Sequence, residues 1–156
     1  MCQFAKYHAL GNDYIVLDPE NFSTPLSPSF ISRICTRHTG IGSDGILYGP
    51  LRPSSVNSPT KPFCGLRIYN PDGSEAEKSG NGLRIFTRYL WDSGRIKEEA
   101  VYLETLGGLV RSKVVDKGNA VTVDMGAVRF NSSVIPVRGE EREVLNEPIE
   151  FEDVTF

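Results

Sequence analysis

No apolar stretch in this 156-residue chain runs uncharged for more than a few positions, far short of the roughly 20 that a membrane-spanning helix needs. The opening Met1–Leu10 segment also lacks the apolar core of a signal peptide. These two absences lead us to expect a soluble, cytoplasmic protein with no membrane partner. Cysteine is scarce: Cys2, Cys35 and Cys64 are odd in number, widely spaced and without a C-x-x-C pair. A disulfide framework is therefore not expected. Only His8 and His38 accompany them, so the paired spacing of a structural zinc site is missing and no metal is expected. Nor is there a surplus of positive charge: 17 Lys and Arg stand against 20 Asp and Glu, a net charge of −3. Nucleic acid is thus not an expected partner. There is no G-x-x-x-x-G-K phosphate loop, no G-x-S-x-G elbow around Ser79 and no internal repeat.

What is present reads as one ordinary globular domain, with 39% hydrophobic and 24% charged residues. Strand signals dominate. Cys2–His8 and Asp13–Asp18 are short and rich in aromatic and branched residues, with a turn at Gly11-Asn12 between them. A helix follows, with Ser27 as N-cap, Pro28 in the first position, apolar residues at helical spacing to His38, and Gly40 as the stop. Cys35 falls on its apolar face. Ile46–Tyr48 is a strand, residues 50–62 a proline- and serine-rich surface loop, and Phe63–Asn70 a further strand. Leu83, Phe86 and Leu90 mark a second helix that stops near Gly94. Val101–Thr105, Leu109–Val115 and Ala120–Asp124 form a meander, turning at Gly107-Gly108 and Lys117-Gly118-Asn119. The acidic tail holds strands around Glu143 and at Ile149–Phe151. Two helices among seven or more strands, mostly in hairpin order, predict an α+β domain.

Gly40-Ile41-Gly42-Ser43-Asp44-Gly45 matches the dinucleotide fingerprint in letters but not in context. That fingerprint needs a strand before the glycines and a helix after them; here the order is reversed. The segment reads as a helix-to-strand corner in which Asp44 hydrogen-bonds the turn. The informative stretch is Asn70 to Arg84. Pro71-Asp72-Gly73 turns the chain, and Ser79-Gly80-Asn81-Gly82 leads into the second helix. The small residues there leave backbone N–H groups bare at the positive end of the helix dipole, a seat for a carboxylate. Asn70 and Asn81 would add side-chain amides. The same four residues serve equally well as a plain helix cap with no ligand.

Three segments together carry a resemblance. Phe4 to Tyr14, with Lys6-Tyr7-His8-Ala9-Leu10-Gly11-Asn12-Asp13, resembles the opening motif of the diaminopimelate epimerase family. His38 to Gly45 is similar to that family's second motif. Asn70 to Ala76, followed by Gly80-Asn81-Gly82 and Arg84, is similar to the third, which surrounds the first catalytic cysteine. The resemblance implies a pyridoxal-independent isomerase, without a cofactor, that converts LL- to meso-diaminopimelate for lysine and peptidoglycan synthesis. It implies two pseudo-symmetric α+β halves, each a curved, mixed, mostly antiparallel sheet wrapped around a central helix. One cysteine of each half stands at a helix N-terminus, where the dipole lowers a thiol's pKa. By the same resemblance Asn12, Asn70, Gly80 and Asn81 would bind the amino-acid substrate.

Two departures from the family pattern stand out. The catalytic cysteine falls at Ser79, whose hydroxyl is a far weaker acid than a thiol and cannot rest as an alkoxide near pH 7. It can donate a hydrogen bond, cap the helix or hold water. The family's second half, with its own cysteine, is not among these 156 residues. Residues 1–156 therefore read as an N-terminal half that alone would be inert. The opposite wall would come from a C-terminal half or from a second copy in a homodimer. An amino-acid-binding module and an isomerase for another amino acid are the competing readings.

Overall fold

A computed structural model describes residues 3–54, 60–97, 100–148, 150–151 and 154–155. The chain divides into two compact units, residues 1–125 and 126–156. The first carries the fold. Its elements are β1 (Ala5–Ala9), β2 (Asn12–Leu17), α1 (Pro28–Cys35), β3 (Ile46–Leu51), β4 (Cys64–Tyr69), β5 (Glu75–Ala76), α2 (Gly80–Asp92), β6 (Ala100–Thr105), β7 (Gly108–Val115) and β8 (Ala120–Val123). They form one eight-stranded sheet in the order β1-β2-β3-β4-β6-β7-β8, with β5 paired to β4. All neighbours are antiparallel except β2–β3 and β4–β6, the pairs whose crossovers carry α1 and α2. The result is a mixed sheet. Hairpin order accounts for most of it, and the two helices account for the parallel pairs.

The sheet must curl, because α2 packs against β1 and β2 at one end of the strand order and against β7 and β8 at the other. This is the curved sheet around a central helix expected from the resemblance. β2 shows how the two faces divide. Tyr14 and Val16 join Leu83, Phe86 and Leu90 of α2 in one core, whereas Ile15 and Leu17 join Ile31 and Cys35 of α1 in another. A strand covered on both faces reads as a continuous apolar run, which explains the sequence Tyr14-Ile15-Val16-Leu17. Within α2, the fully buried Thr87 donates to the Leu83 carbonyl and shares a 2.7 Å hydrogen bond with Ser112 of β7. Its hydroxyl is thereby satisfied between helix and sheet.

Several element ends differ from expectation, each for a local reason. The first strand starts at Ala5, and Cys2 lies outside the described residues. The β1–β2 turn is Leu10-Gly11, not Gly11-Asn12, with φ of 55° and 88°, the positive values a tight hairpin of this hand requires. Asn12 already pairs with Ala9, so its side chain is released for other work. α1 ends at Cys35, not near Gly40, and leaves His38 exposed. The chain folds back so that Gly40, Gly42 and Ser43 donate their N–H groups to the carbonyls of Thr36, Ile34 and Cys35. α2 begins at Gly80, ahead of its first buried apolar residue, Leu83. The turn before β7 is Leu106-Gly107, since Gly108 pairs with Thr105.

In residues 126–156, the strand expected around Glu143 is an isolated bridge between Asn131 and Glu143. The strand expected at Ile149–Phe151 is the short β9 (Glu150–Phe151), paired with β10 (Val154–Thr155); Ile149 lies outside the described residues. Among the described residues no helix is long and apolar enough to cross a membrane.

Candidate active site at the start of the central helix

Ser79 caps α2: its Oγ accepts from the Gly82 N–H at 3.0 Å, and its extended backbone delivers the chain into the helix. The Tyr14 hydroxyl lies 3.1 Å from the same oxygen. Two glycines shape the ground around it. A Cβ on Gly82 would fall 3.0 Å from Leu47 Cδ2 and 3.2 Å from Ser79 Oγ, so the helix start sits hard against β3. A Cβ on Gly80 would meet nothing nearer than Met125 Sδ at 3.9 Å, so the space over the first turn is open. Bare N–H groups, a positive dipole end and open ground suit a small anion.

A line of hydrogen bonds ties this helix start to the other two motifs. Asn81 Nδ2 donates to Asn12 Oδ1 at 3.2 Å, and Arg84 donates to Asn81 Oδ1. Asn12 Nδ2 donates in turn to Asp44 Oδ2 at 3.0 Å, which also accepts from the Asp13 N–H. Arg37 bridges Asp44 at 2.6 Å and Asp13 at 2.7 Å, and Lys6 adds a 3.0 Å ion pair to Asp13. The glycine-rich corner thus works by placing Asp44. Ser43, buried beside it, donates to the Gly45 carbonyl and braces the turn.

The Arg37 guanidinium, helped by Lys6, holds the Asp13 carboxyl well below its ordinary value of 3.8, outweighing the burial that would raise it. A carboxyl titrating below its unfolded counterpart stabilises the fold fully above about pH 4, and that stabilisation is lost as the pH falls through the native value. Asp13→Asn is accordingly expected to lower the denaturation midpoint at pH 7. It should also flatten the fall in stability between pH 4 and pH 2, which urea unfolding at the two limits measures. Ser79→Ala removes one cap and should cost about 1 kcal/mol, or about 2–4 °C in melting temperature.

Four of the five sequence-derived site residues, Asn12, Ser79, Gly80 and Asn81, meet here. Asn70 is exposed at the end of β4, with its Nδ2 donating to Ser74 Oγ at 3.0 Å. Among the described residues none of its hydrogen bonds reaches the α2 start. Tyr14, Asp44, Arg37 and Arg84 complete the arrangement. Tyr14 escaped the sequence reading because an aromatic residue in an apolar strand looks like core. Its ring is indeed buried, and only the hydroxyl reaches the site. The described cysteines cannot replace the missing thiol. Burial pushes the Cys64 thiol up to about 12 and raises that of Cys35. Cys35 also lies in the other core, on the buried face of α1.

The fold is that of the cofactor-independent amino-acid racemases and epimerases. It is shared with a hydroxyproline epimerase from Agrobacterium vitis (TM-score 0.57, 19% identity, 77% of this chain and 40% of that one). A probable proline racemase from Agrobacterium radiobacter has it too (TM-score 0.56, 21% identity, 79% and 41%). The family is narrower. The diaminopimelate epimerase profile matches residues 4–131, and the chain belongs to that family. It is 54% identical over 154 residues to diaminopimelate epimerase 2 of Nostoc sp., covering 99% of this chain and 52% of the relative. To the diaminopimelate epimerase of Moorella thermoacetica it is 37% identical over 158 residues, covering 98% and 54%. The chain spans about half the length of these relatives and corresponds to their N-terminal half.

Proposed function

We propose that residues 1–156 form the N-terminal half of a two-lobed epimerase that moves the proton at Cα of an amino acid. The reaction that the family name supports is interconversion of LL- and meso-diaminopimelate, for lysine and peptidoglycan precursor synthesis in the cytoplasm. One observation carries this reading: the hydrogen-bonded line from Lys6 and Asp13 through Asp44, Asn12 and Asn81 draws three motifs, distant in sequence, to one helix start.

In this reading the N–H groups of Gly80 and Asn81 hold the substrate's α-carboxylate at the positive end of α2. Charge pushed onto that carboxylate as the Cα proton leaves is stabilised there by donors already in place. Asn12 and Asn81 orient the ligand, and Asn70 joins them by exchanging its bond to Ser74 for one to the substrate. Ser79 occupies the place of the family's thiol but does not remove the proton, because an alkyl hydroxyl is too weak an acid. The base, and the wall that excludes water, belong to a second lobe or to a second copy of the chain. The chain by itself is then inert. In the full-length protein a single second-lobe thiol is expected to sustain α-proton exchange of diaminopimelate in heavy water while inversion is lost. Absence of both would count against any proton-transfer role.

A second reading, an amino-acid-binding module, is favoured by the Ser79 cap bond, which suits holding better than deprotonation. Calorimetric titration of this chain with diaminopimelate separates the cases. Heat of binding on this half, with no exchange in the full-length protein, supports the module. Heat within noise at millimolar ligand removes the module and leaves the epimerase reading without its substrate seat.

A further inference from the structure

We propose that Tyr14 sets the direction of the Ser79 hydroxyl: the phenol donates to Ser79 Oγ, and Ser79 therefore presents its own proton outward as a donor to the ligand's carboxylate. This rests on the reading that an amino acid sits over the α2 start, and it assigns Ser79 to substrate binding and Tyr14 to positioning.

An alkyl hydroxyl has one proton and two acceptor positions. The Gly82 N–H takes one acceptor position of Ser79 Oγ at 3.0 Å, and Tyr14 lies at 3.1 Å from the same atom. If Ser79 donated to Tyr14, the phenolic proton would need an acceptor of its own. Tyr14 is only 7% exposed, and Ser79 Oγ is the sole hydrogen-bond partner of its phenol among the described residues. That arrangement leaves the phenolic proton without a protein acceptor among the described residues, an outcome folded proteins disfavour for so enclosed a side chain. A phenol is also the more acidic hydroxyl and so the better donor. With Tyr14 donating, both acceptor positions of Ser79 are filled from within the protein. The serine proton is left to point away from them.

The phenol cannot easily swing aside. A Cβ on Gly45 would fall 2.7 Å from Tyr14 Cε1 and 2.5 Å from the Tyr69 carbonyl oxygen, so the ring is held where glycine makes room for it. Serine at position 79 therefore offers a fixed donor where a freely rotating hydroxyl would lose orientational entropy on binding.

Two tests need no ligand. Ser79→Ala leaves Tyr14 in place and removes its acceptor. A blue shift of the tyrosine difference spectrum is expected, whereas a red shift or none overturns the proposal, since losing a donated hydrogen bond moves phenol absorption to the blue and losing an accepted one moves it to the red. In a Cys2→Ser background, Ser79→Cys places a titratable sulfur at the same point. Adding Tyr14→Phe should raise the thiol's titration midpoint by about one pH unit, a tenfold loss of thiolate below it. An unchanged midpoint overturns the proposal. A third test uses diaminopimelate: Tyr14→Phe alone is expected to bind it about tenfold more weakly than the unaltered chain. Equal affinity overturns the assignment of Ser79 as ligand donor. If the unaltered chain does not bind diaminopimelate, the functional reading above fails, and the Ser79→Ala spectrum still decides the direction of the Tyr14 hydrogen bond.

Discussion

Ser79→Cys, made in a Cys2→Ser background, is expected to alkylate at pH 7 at least about 10³-fold faster than Cys64. The two thiols would share a chain but not an environment. Position 79 is half-buried at the positive end of a 13-residue helix, with the Gly82 N–H donating to it and the Tyr14 hydroxyl 3.1 Å away. Both features favour a thiolate. Cys64 is buried at the start of β4 and pushed up to about 12 by burial, so it holds almost no thiolate at neutral pH. Cys35, raised for the same reason, should also react slowly. Labelling rates read by peptide mass spectrometry decide the matter. Similar rates at 79 and 64 would mean that the start of α2 neither favours an anion nor admits a small reagent.

The largest loss of stability should come from Phe86→Ala, about 3–5 kcal/mol by chemical denaturation. The ring is fully buried and stacked on Tyr89 with centroids 6.0 Å apart. It is also so close to β3 that a Cβ on Gly49 would lie 2.9 Å from its Cζ. Against the 5–15 kcal/mol that separates folded from unfolded domains, the change removes a large share. It should also loosen the Ser79 cap, because α2 is seated through this residue. Phe86→Leu keeps most of the volume and should retain most of the stability. A cost below about 1 kcal/mol for the alanine change would mean that α2 is not the centre of the core.

These expectations draw on different amounts of sequence. Strands with alternating or continuous apolar character were legible because burial imposes their pattern residue by residue, as in Tyr14–Leu17. The caps Ser27 and Ser79 were legible because few residue types satisfy the free N–H groups of a first turn. The end of α1 was not, since the apolar spacing runs on to His38 while the backbone carbonyls of Ile34, Cys35 and Thr36 are claimed by the returning chain. The Leu10-Gly11 turn was missed for a related reason: Leu10 adopts a positive φ that its side chain disfavours, under the demand of the hairpin's twist.

By itself the sequence determined where most strands and both helices lie, which residues cap the helices, and that a serine opens the second helix. All of these follow from chemistry within a few positions along the chain. Only the tertiary structure decided that Asp44, Asn12 and Asn81 form one line and that Tyr14 touches Ser79. Such contacts join residues up to 69 positions apart, and they exist only once the sheet has curled around α2. No local spacing encodes that closure, because it depends on how much apolar surface each strand and helix can bury together.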